Sequence, residues 1–224
     1  MVTSSLDDAD YQEVPSKPQK GDWLVGSDEA GYGAWAGPLC VAAVRVPADW
    51  VPPLGLTDSK KLSEAQRETV LVALERDPKV VSRVLMIPSN VIDRQGVYAC
   101  LRQAHETLHQ ELSWGLEGVR CVADGNLQLQ GGIESIPKAD GTVPAVSAAS
   151  IFAKVTRDRE MVRLGQQFLG YGFERHKGYG VPAHEEALRK LGPCSLHRMS
   201  YAPIAAFEKQ QTSVLDLLGD LEQE

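Results

Sequence analysis

The chain has 224 residues, of which 43% are hydrophobic, and its formal net charge is −7. This length fits one domain with a core of ordinary size. No stretch approaches the roughly 20 apolar residues of a membrane span, and the N-terminus lacks a basic start followed by an apolar run. The sequence therefore predicts a cytoplasmic protein. Its four cysteines form no Cys-x-x-Cys pair, which favours buried thiols over disulfides or zinc.

The negative charge is concentrated at the two ends of the chain. Residues 1–20 are polar and show no periodicity, so they are predicted to be a disordered leader. Residues 21–204 are predicted to form the folded domain and residues 205–224 an acidic helical tail. Residues 151–200 hold nine Lys and Arg against five Asp and Glu. The overall charge is thus compatible with a basic surface beside an acidic pocket.

The hydrophobic pattern predicts strands and helices around one core. Strands are expected over residues 23–28, 39–46, 80–87, 119–123 and 133–136. One helix is expected after Ser63, which resembles the start of a capping box with Gln66. A second helix is expected to begin at Ser89 and extend to Leu112. Further helices are expected over residues 146–168 and 182–191 and from residue 205 onward. This order predicts an α/β fold with a sheet of mixed direction.

Two of the predicted strands end in carboxylates. Asp28 and Glu29 follow an apolar strand and precede glycines, and Asp124 follows another strand. A carboxylate buried at a strand end is costly unless it is paired or bound to a cation. Ligands also gather at the strand ends of open α/β sheets. Ordinary polar turns explain the same residues, and for Asp124 a turn is the commoner meaning.

A third polar feature lies on the predicted helix over residues 146–168. Ser147, Ser150, Lys154 and Asp158 share one stripe at helical spacing. A solvated face with a Lys–Asp pair and a stripe that points into a cleft are equally compatible with this spacing. Together with the strand-end acids, Asp158 would supply the hard oxygen ligands that hydrolysis with two metal ions requires.

Six ordered sequence blocks resemble those of the bacterial ribonuclease HII family, over about residues 22–204. The blocks are Asp28-Glu29-Ala30-Gly31 with Gly37-Pro38, Asp58 to Ser63, Asp124-Gly125-Asn126, Ala148 to Arg159, His176 to Gly180 and His197-Arg198. The resemblance implies a ribonuclease H-like fold, with a central five-stranded mixed sheet flanked by helices and a C-terminal helical region.

The resemblance also implies an activity. The chain would be an endonuclease that depends on Mg²⁺ or Mn²⁺, with two divalent cations in its mechanism. It would hydrolyse the RNA strand of RNA–DNA hybrids and ribonucleotides embedded in duplex DNA, leaving 3′-hydroxyl and 5′-phosphate ends. A monomer is expected, with no membrane partner.

Carried over position by position, the resemblance implies four catalytic and metal-binding acids: Asp28, Glu29, Asp124 and Asp158. It also implies a set of substrate-binding residues, namely Gly31, Tyr32, Gly33, Lys60, Lys61, Ser150, Lys154, Tyr179 and Arg198. Tyr179 would stack near the ribonucleotide junction, and the basic residues would contact backbone phosphates.

The sequence departs from the family pattern at two positions. Tyr32 stands where the family usually has arginine, and Gly96 where asparagine is common. The loss of the guanidinium removes a charge-assisted hydrogen bond of about 1.5–3 kcal/mol. A catalytically impaired hybrid-binding protein is therefore the alternative hypothesis. A DNA-cutting nuclease of the same superfold is a third, disfavoured by the Tyr179 block. Binding alone does not require four crowded carboxylates, so the sequence favours the enzyme.

Overall fold

A computed structural model of the chain describes residues 22–207. Its strands are β1 Trp23–Ala30, β2 Leu39–Pro47, β3 Val81–Ile87, β4 Val119–Asp124 and β5 Glu134–Ile136. Its helices are α1 Glu64–Arg76, α2 Ser89–Gln95, α3 Val97–Ser113, α4 Pro144–Gln167, α5 Phe173–His176 and α6 Pro182–Leu191. Short 3-10 turns cover Ser59–Lys61 and Ala139–Gly141. The predicted leader, and the predicted tail beyond residue 207, lie outside the described residues.

The five strands form one sheet in the order β3-β2-β1-β4-β5. β1 pairs antiparallel with β2 and parallel with β4, so the sheet is mixed, as the sequence predicts. β1 lies at the centre of this order. Any side chain at the carboxyl end of β1 therefore has neighbouring strands on both sides.

Helices cover both faces of the sheet, which explains why residues 39–44 of β2 are all apolar. Cys40, Ala42 and Val44 face a cluster that includes residues of α1 and α4. Leu39, Val41 and Ala43 face a second cluster built with α3. Successive side chains of a strand point to opposite faces, so a strand covered on both sides becomes a continuous hydrophobic run. No helix within residues 22–207 has the length and apolarity needed to cross a membrane.

α4 lies directly on the backbone of β1. A Cβ atom built at Gly26 would come within 2.3 Å of the backbone nitrogen of Val146 and 2.8 Å of the Ala145 side chain. Because glycine has no Cβ, this strand and this helix can approach so closely. The contact fixes which residues of α4 lie beside which residues of β1.

The structure corrects the prediction of one helix from Ser89 to Leu112. Two helices, α2 and α3, meet at Gly96, where φ is +82° and ψ is 139°. That conformation ends a helix and is strained for any residue with a side chain. Ser89 does not cap α2, since Pro88 occupies the N-cap position and the Ser89 hydroxyl donates to the Ser195 carbonyl. The capping box of Ser63 and Gln66 is confirmed.

Replacing Gly96 with alanine tests the origin of this helix break. Open space surrounds the position, so the cost comes from backbone strain and not from a clash. We expect Gly96→Ala to lower the free energy of unfolding by about 1–3 kcal/mol, measured by urea denaturation. Gly33→Ala is the matched control because Gly33 also has open space and its φ is not in the positive region. Equal stability of the two variants would contradict the strain explanation.

Candidate active site

Asp28 and Asp124 lie side by side on neighbouring parallel strands. The register pairs Ser27 with Ala123, so Asp28 and Asp124 are the next residues along β1 and β4. Adjacent strands are about 4.8 Å apart. The structure therefore brings these two predicted acids together. β1 extends two residues past its predicted end, to Ala30, so the Asp28–Glu29 pair lies within the strand.

Glu29 is presented from the opposite face of β1. Alternation along the strand directs Gly26, Asp28 and Ala30 toward α4, and Ser27 and Glu29 toward α3. The Glu29 carboxylate lies 3.8 Å from Nε2 of His105 on α3. The two neighbouring acids thus point to opposite faces of the sheet, each toward a different layer of helices.

Asp140 is a fourth acid of this site that the sequence reasoning missed. It lies in the 3-10 turn Ala139–Gly141, which follows β5. The Asp124 carboxylate accepts a 2.7 Å hydrogen bond from the Ala139 backbone N–H, which ties this turn to the end of β4. Asp140 is buried, and its charge acts on both Asp28 and Asp124. The rule applied to Asp124, an acid soon after a strand, would also have indicated Asp140.

Asp158 does not belong to this group, which corrects the prediction. Its carboxylate pairs with Lys154 at 2.8 Å and with Arg67 at 3.9 Å. The Ser147 hydroxyl donates to the Asp140 carbonyl, so Asp140 lies beside the start of α4. Asp158 follows Ser147 by eleven residues, which places it about 16 Å further along the helix axis. Asp158 is therefore a buried carboxylate that forms ion pairs with the Lys154 and Arg67 side chains.

The electrostatics of the site reflect crowded carboxylates. Burial, followed by the charges of Glu29, Asp124 and Asp140, raises the pKa of Asp28 well above its usual value. The pKa of Asp140 is raised by burial and by Asp124, although Lys60 opposes that shift. Lys60 lies 3.4 Å from Asp140 and is the cation paired with this acid. Four acids with one such lysine leave excess negative charge at the strand ends.

The donor set suits a hard divalent cation. Carboxylate oxygens are the ligands that Mg²⁺ and Mn²⁺ prefer, and a cation would relieve the repulsion that raises the pKa of Asp28. Within residues 22–207, no three His, Cys, Asp or Glu side chains yet form a converged coordination shell. Asp124 and Asp140 are instead engaged by the Ala139 N–H and by Lys60. The other three acids of the site are nevertheless close enough for their charges to act on Asp28.

The loop from Gly31 to Pro38 is held from below by two buried arginines. Arg198 donates to the carbonyls of Gly37 and Tyr32, at 3.1 and 2.8 Å. Arg157 donates to the carbonyls of Pro38 and Ala36. The expectation that Arg198 contacts substrate phosphates needs correction, because its side chain has no exposed surface. Arg198 instead fixes the shape of the loop that carries Gly31, Tyr32 and Gly33.

The Tyr179 ring lies against the middle of α4. Its ring centroid lies 5.2 Å from the Arg157 guanidinium carbon and 5.9 Å from Nζ of Lys154. Gly178 directly precedes Tyr179 in the chain. Its carbonyl accepts hydrogen bonds from the backbone N–H groups of both Trp35 and Ala36. The loops that carry Tyr32 and Tyr179 are therefore joined to each other.

The remaining predicted substrate residues differ in accessibility. Lys60 and Lys61 are exposed in the turn near Asp140, and Lys154 is half-buried between Asp158 and Tyr179. Ser150 is buried, and its hydroxyl donates to the Ser147 carbonyl within α4. The expectation that Ser150 contacts substrate is therefore corrected, since its side chain is turned into the helix.

Comparison with known proteins identifies the family. A sequence model of ribonuclease HII matches residues 25–204. The chain belongs to the ribonuclease HII family. The ribonuclease HII of Azorhizobium caulinodans is 45% identical over 187 residues, which cover 82% of this chain and 70% of the relative. The ribonuclease HII of Hyphomonas neptunium is 43% identical over 199 residues, covering 82% and 95%. Family membership makes the chain a ribonuclease H endonuclease.

Solved structures of ribonuclease HII proteins share this fold. The ribonuclease H2 of Pyrococcus horikoshii is 25% identical with a TM-score of 0.68, covering 84% of this chain and 98% of that one. The ribonuclease HII in a PCNA complex from Archaeoglobus fulgidus is 28% identical with a TM-score of 0.67, covering 80% and 94%. These likenesses agree with the ribonuclease H-like fold predicted from the sequence blocks.

The crowding of carboxylates makes a prediction about stability without metal. A carboxyl group whose pKa is raised on folding stabilises the fold at low pH, and this contribution is lost as pH rises through the raised pKa. We therefore expect Asp28→Asn, in EDTA at neutral pH, to raise the melting temperature. The increase should be at least the 2–4 °C that about 1 kcal/mol produces in a domain of this size.

Asp49 is exposed, so Asp49→Asn is the matched control and should leave the melting temperature unchanged. Adding Mn²⁺ should then stabilise the wild-type protein more than Asp28→Asn. A variant that melts below the wild type in EDTA would argue against repulsion at this site.

Proposed function

We propose that Asp28, Glu29, Asp124 and Asp140 are the carboxylates with which this ribonuclease H endonuclease cuts the RNA strand of RNA–DNA hybrids. The observation that carries the proposal is the placement of the Asp28 carboxylate, which is buried at the centre of the sheet with three other acids around it. Such an arrangement is unfavourable unless cations bind there. The expected products carry 3′-hydroxyl and 5′-phosphate ends.

The four acids are the residues that would hold two Mg²⁺ or Mn²⁺ ions. Family membership implies a dependence on divalent metal. Bound cations supply charge stabilisation for the phosphodiester and for the leaving oxygen, and they lower the pKa of water. The chain's own residues hold these acids in place: the Ala139 N–H fixes Asp124, and the register of β1 with β4 fixes Asp28 beside it.

Basic and aromatic residues around the acids form the proposed substrate surface. Lys60 and Lys61 are placed to contact backbone phosphates, and Lys154 supplies positive charge beside Tyr179. Tyr179 presents a ring on which a sugar or base can stack. The loop of Gly31, Tyr32 and Gly33 is held rigid by the Arg198 hydrogen bond to the Tyr32 carbonyl. A fixed backbone at this loop suits recognition of a ribose hydroxyl through peptide groups.

Asp140 and Asp158 provide the sharpest test of the carboxylate set. We expect Asp124→Asn and Asp140→Asn to reduce single-turnover cleavage of a hybrid duplex by at least about 100-fold, since a loss of outer-shell metal partners alone costs about 10- to 100-fold. Asp158→Asn is the matched control on α4 and should lose less than about tenfold, because it removes only ion pairs. Cleavage is measured with Mg²⁺ and with Mn²⁺, after circular dichroism has established folding. A larger loss for Asp158→Asn than for Asp140→Asn would refute this set.

Tyr179 tests the substrate surface and the cleavage of embedded ribonucleotides. We expect Tyr179→Ala to weaken cleavage of a DNA duplex with one ribonucleotide by about 5- to 150-fold, which corresponds to a stacking energy of about 1–3 kcal/mol. Tyr179→Phe keeps the ring and should retain most activity. Wild-type cleavage of long hybrids without cleavage of the single-ribonucleotide duplex would remove the embedded substrate from the proposal. Tight hybrid binding without any cleavage would favour the hybrid-binding alternative.

A further inference from the structure

A chain of three polar side chains is buried between β1 and α3. Ser27 and His105 have no exposed surface, and His109 is 2% exposed. They lie among the apolar residues of the cluster formed by β1, β2 and α3, including Val25, Leu101 and Leu108. Burying polar groups costs free energy unless they are hydrogen-bonded. Apolar side chains of similar volume would fill the same space without that cost.

The three side chains are joined through one hydroxyl group. Ser27 Oγ lies 2.7 Å from Nδ1 of His105 and 2.8 Å from Nε2 of His109. The other ring nitrogen of His105, Nε2, makes no hydrogen bond and lies 3.8 Å from Oε2 of Glu29. This distance is too long for a hydrogen bond but short enough for a strong electrostatic contact.

The single proton of the Ser27 hydroxyl limits the possible arrangements. If Ser27 donates to His105 Nδ1, then His109 Nε2–H donates to Ser27, and the proton of a neutral His105 is on Nε2, facing Glu29. If Ser27 donates to His109 instead, His105 Nδ1–H donates to Ser27. A neutral His105 would then direct a bare lone pair at the Glu29 carboxylate, which is repulsive.

A doubly protonated His105 avoids this repulsion, since it too carries a proton on Nε2. His109 does not take up the charge, because burial and the neighbouring His105 lower its pKa to about 3. With Glu29 as a carboxylate, every arrangement without repulsion therefore directs an N–H group of His105 at Glu29. The direction of that group is fixed by Ser27 and His109 on the other side of the ring.

We infer that His105, held by Ser27 and His109, is a positioning residue that orients the Glu29 carboxylate toward the cation site. This inference rests on the proposed role of Glu29 in that site. Glu29 is on the α3 face of β1, and Asp140 and Lys60 reach the site from other elements. His105 supplies Glu29 with a fixed partner from α3. Orientation of a ligand by a second residue strengthens cation binding by about 10- to 100-fold.

The position of the proton is directly measurable in the wild-type protein. ¹⁵N-labelled histidine gives distinct two-bond ¹H–¹⁵N correlation patterns for the two neutral tautomers and for the imidazolium ion. The His105 signals are assigned by their loss in His105→Gln. We expect a proton on Nε2 of His105, and a shift of the ring signals in Glu29→Gln. A bare Nε2, or signals that Glu29→Gln leaves unmoved, would overturn the inference.

Mn²⁺ binding to the free protein, measured by calorimetry, gives a second readout that does not depend on cleavage. We expect His105→Leu and His109→Leu to weaken Mn²⁺ binding about 10- to 100-fold. His105→Gln and His109→Gln retain an amide donor and should restore part of the loss. Leu108→Ala is the control for damaged packing of α3 and should lower the melting temperature with Mn²⁺ affinity unchanged. Equal affinity in the Leu and Gln variants would reject a positioning role.

The failure of this inference and the failure of the proposed function give different results. If Glu29→Gln retains full cleavage, Glu29 leaves the catalytic set, and with it the role inferred for His105. If Glu29→Gln is inactive but the wild-type spectra show a bare Nε2, only the role of His105 is lost. The proton position is read in the wild-type protein, and His105→Gln serves only to assign its signals.

Discussion

The structure is organised around one buried carboxyl group. The Asp28 carboxylate lies on the central strand, with almost no exposed surface and with Glu29, Asp124 and Asp140 as charged neighbours. Such a group raises the free energy of the folded protein unless a cation balances it. The surrounding fold has to supply the free energy that offsets this cost. Two apolar clusters, one on each face of the sheet, provide that burial.

The alternation of side chains along β1 divides the site between two helical layers. Asp28 is on the face of α4, and Glu29 is on the face of α3. Neighbouring residues on one strand can therefore be controlled separately. Asp140 adds to the negative charge around Asp28 and Lys60 opposes it, whereas the nearest charged-group contact of Glu29 is with His105 of α3. Two adjacent carboxylates in an otherwise similar position thus have different surroundings.

α4 connects the cluster of acids to Tyr179. Its first turns lie against Gly26 and bind the turn of Asp140 through Ser147, and its middle turns carry Arg157 beneath Tyr179. Arg157 also donates to the loop that follows β1. A shift of this helix would move Asp140 and Tyr179 together. The close contact at Gly26 makes such a shift unfavourable, because the packing there leaves no free space.

The sequence by itself determined the five strands, the sheet of mixed direction, most helices and the strand-end acids Asp28 and Asp124. Periodicity of two or of 3.6 residues is a local property, so it can be read from the chain. The sequence did not distinguish Asp140 from Asp158, or show that Arg198 is buried. Helical spacing tells which residues share a stripe, but only the packing of Val146 on Gly26 decides which end of α4 lies beside the acids. That register is set by contacts between residues about 120 positions apart, which no local pattern encodes.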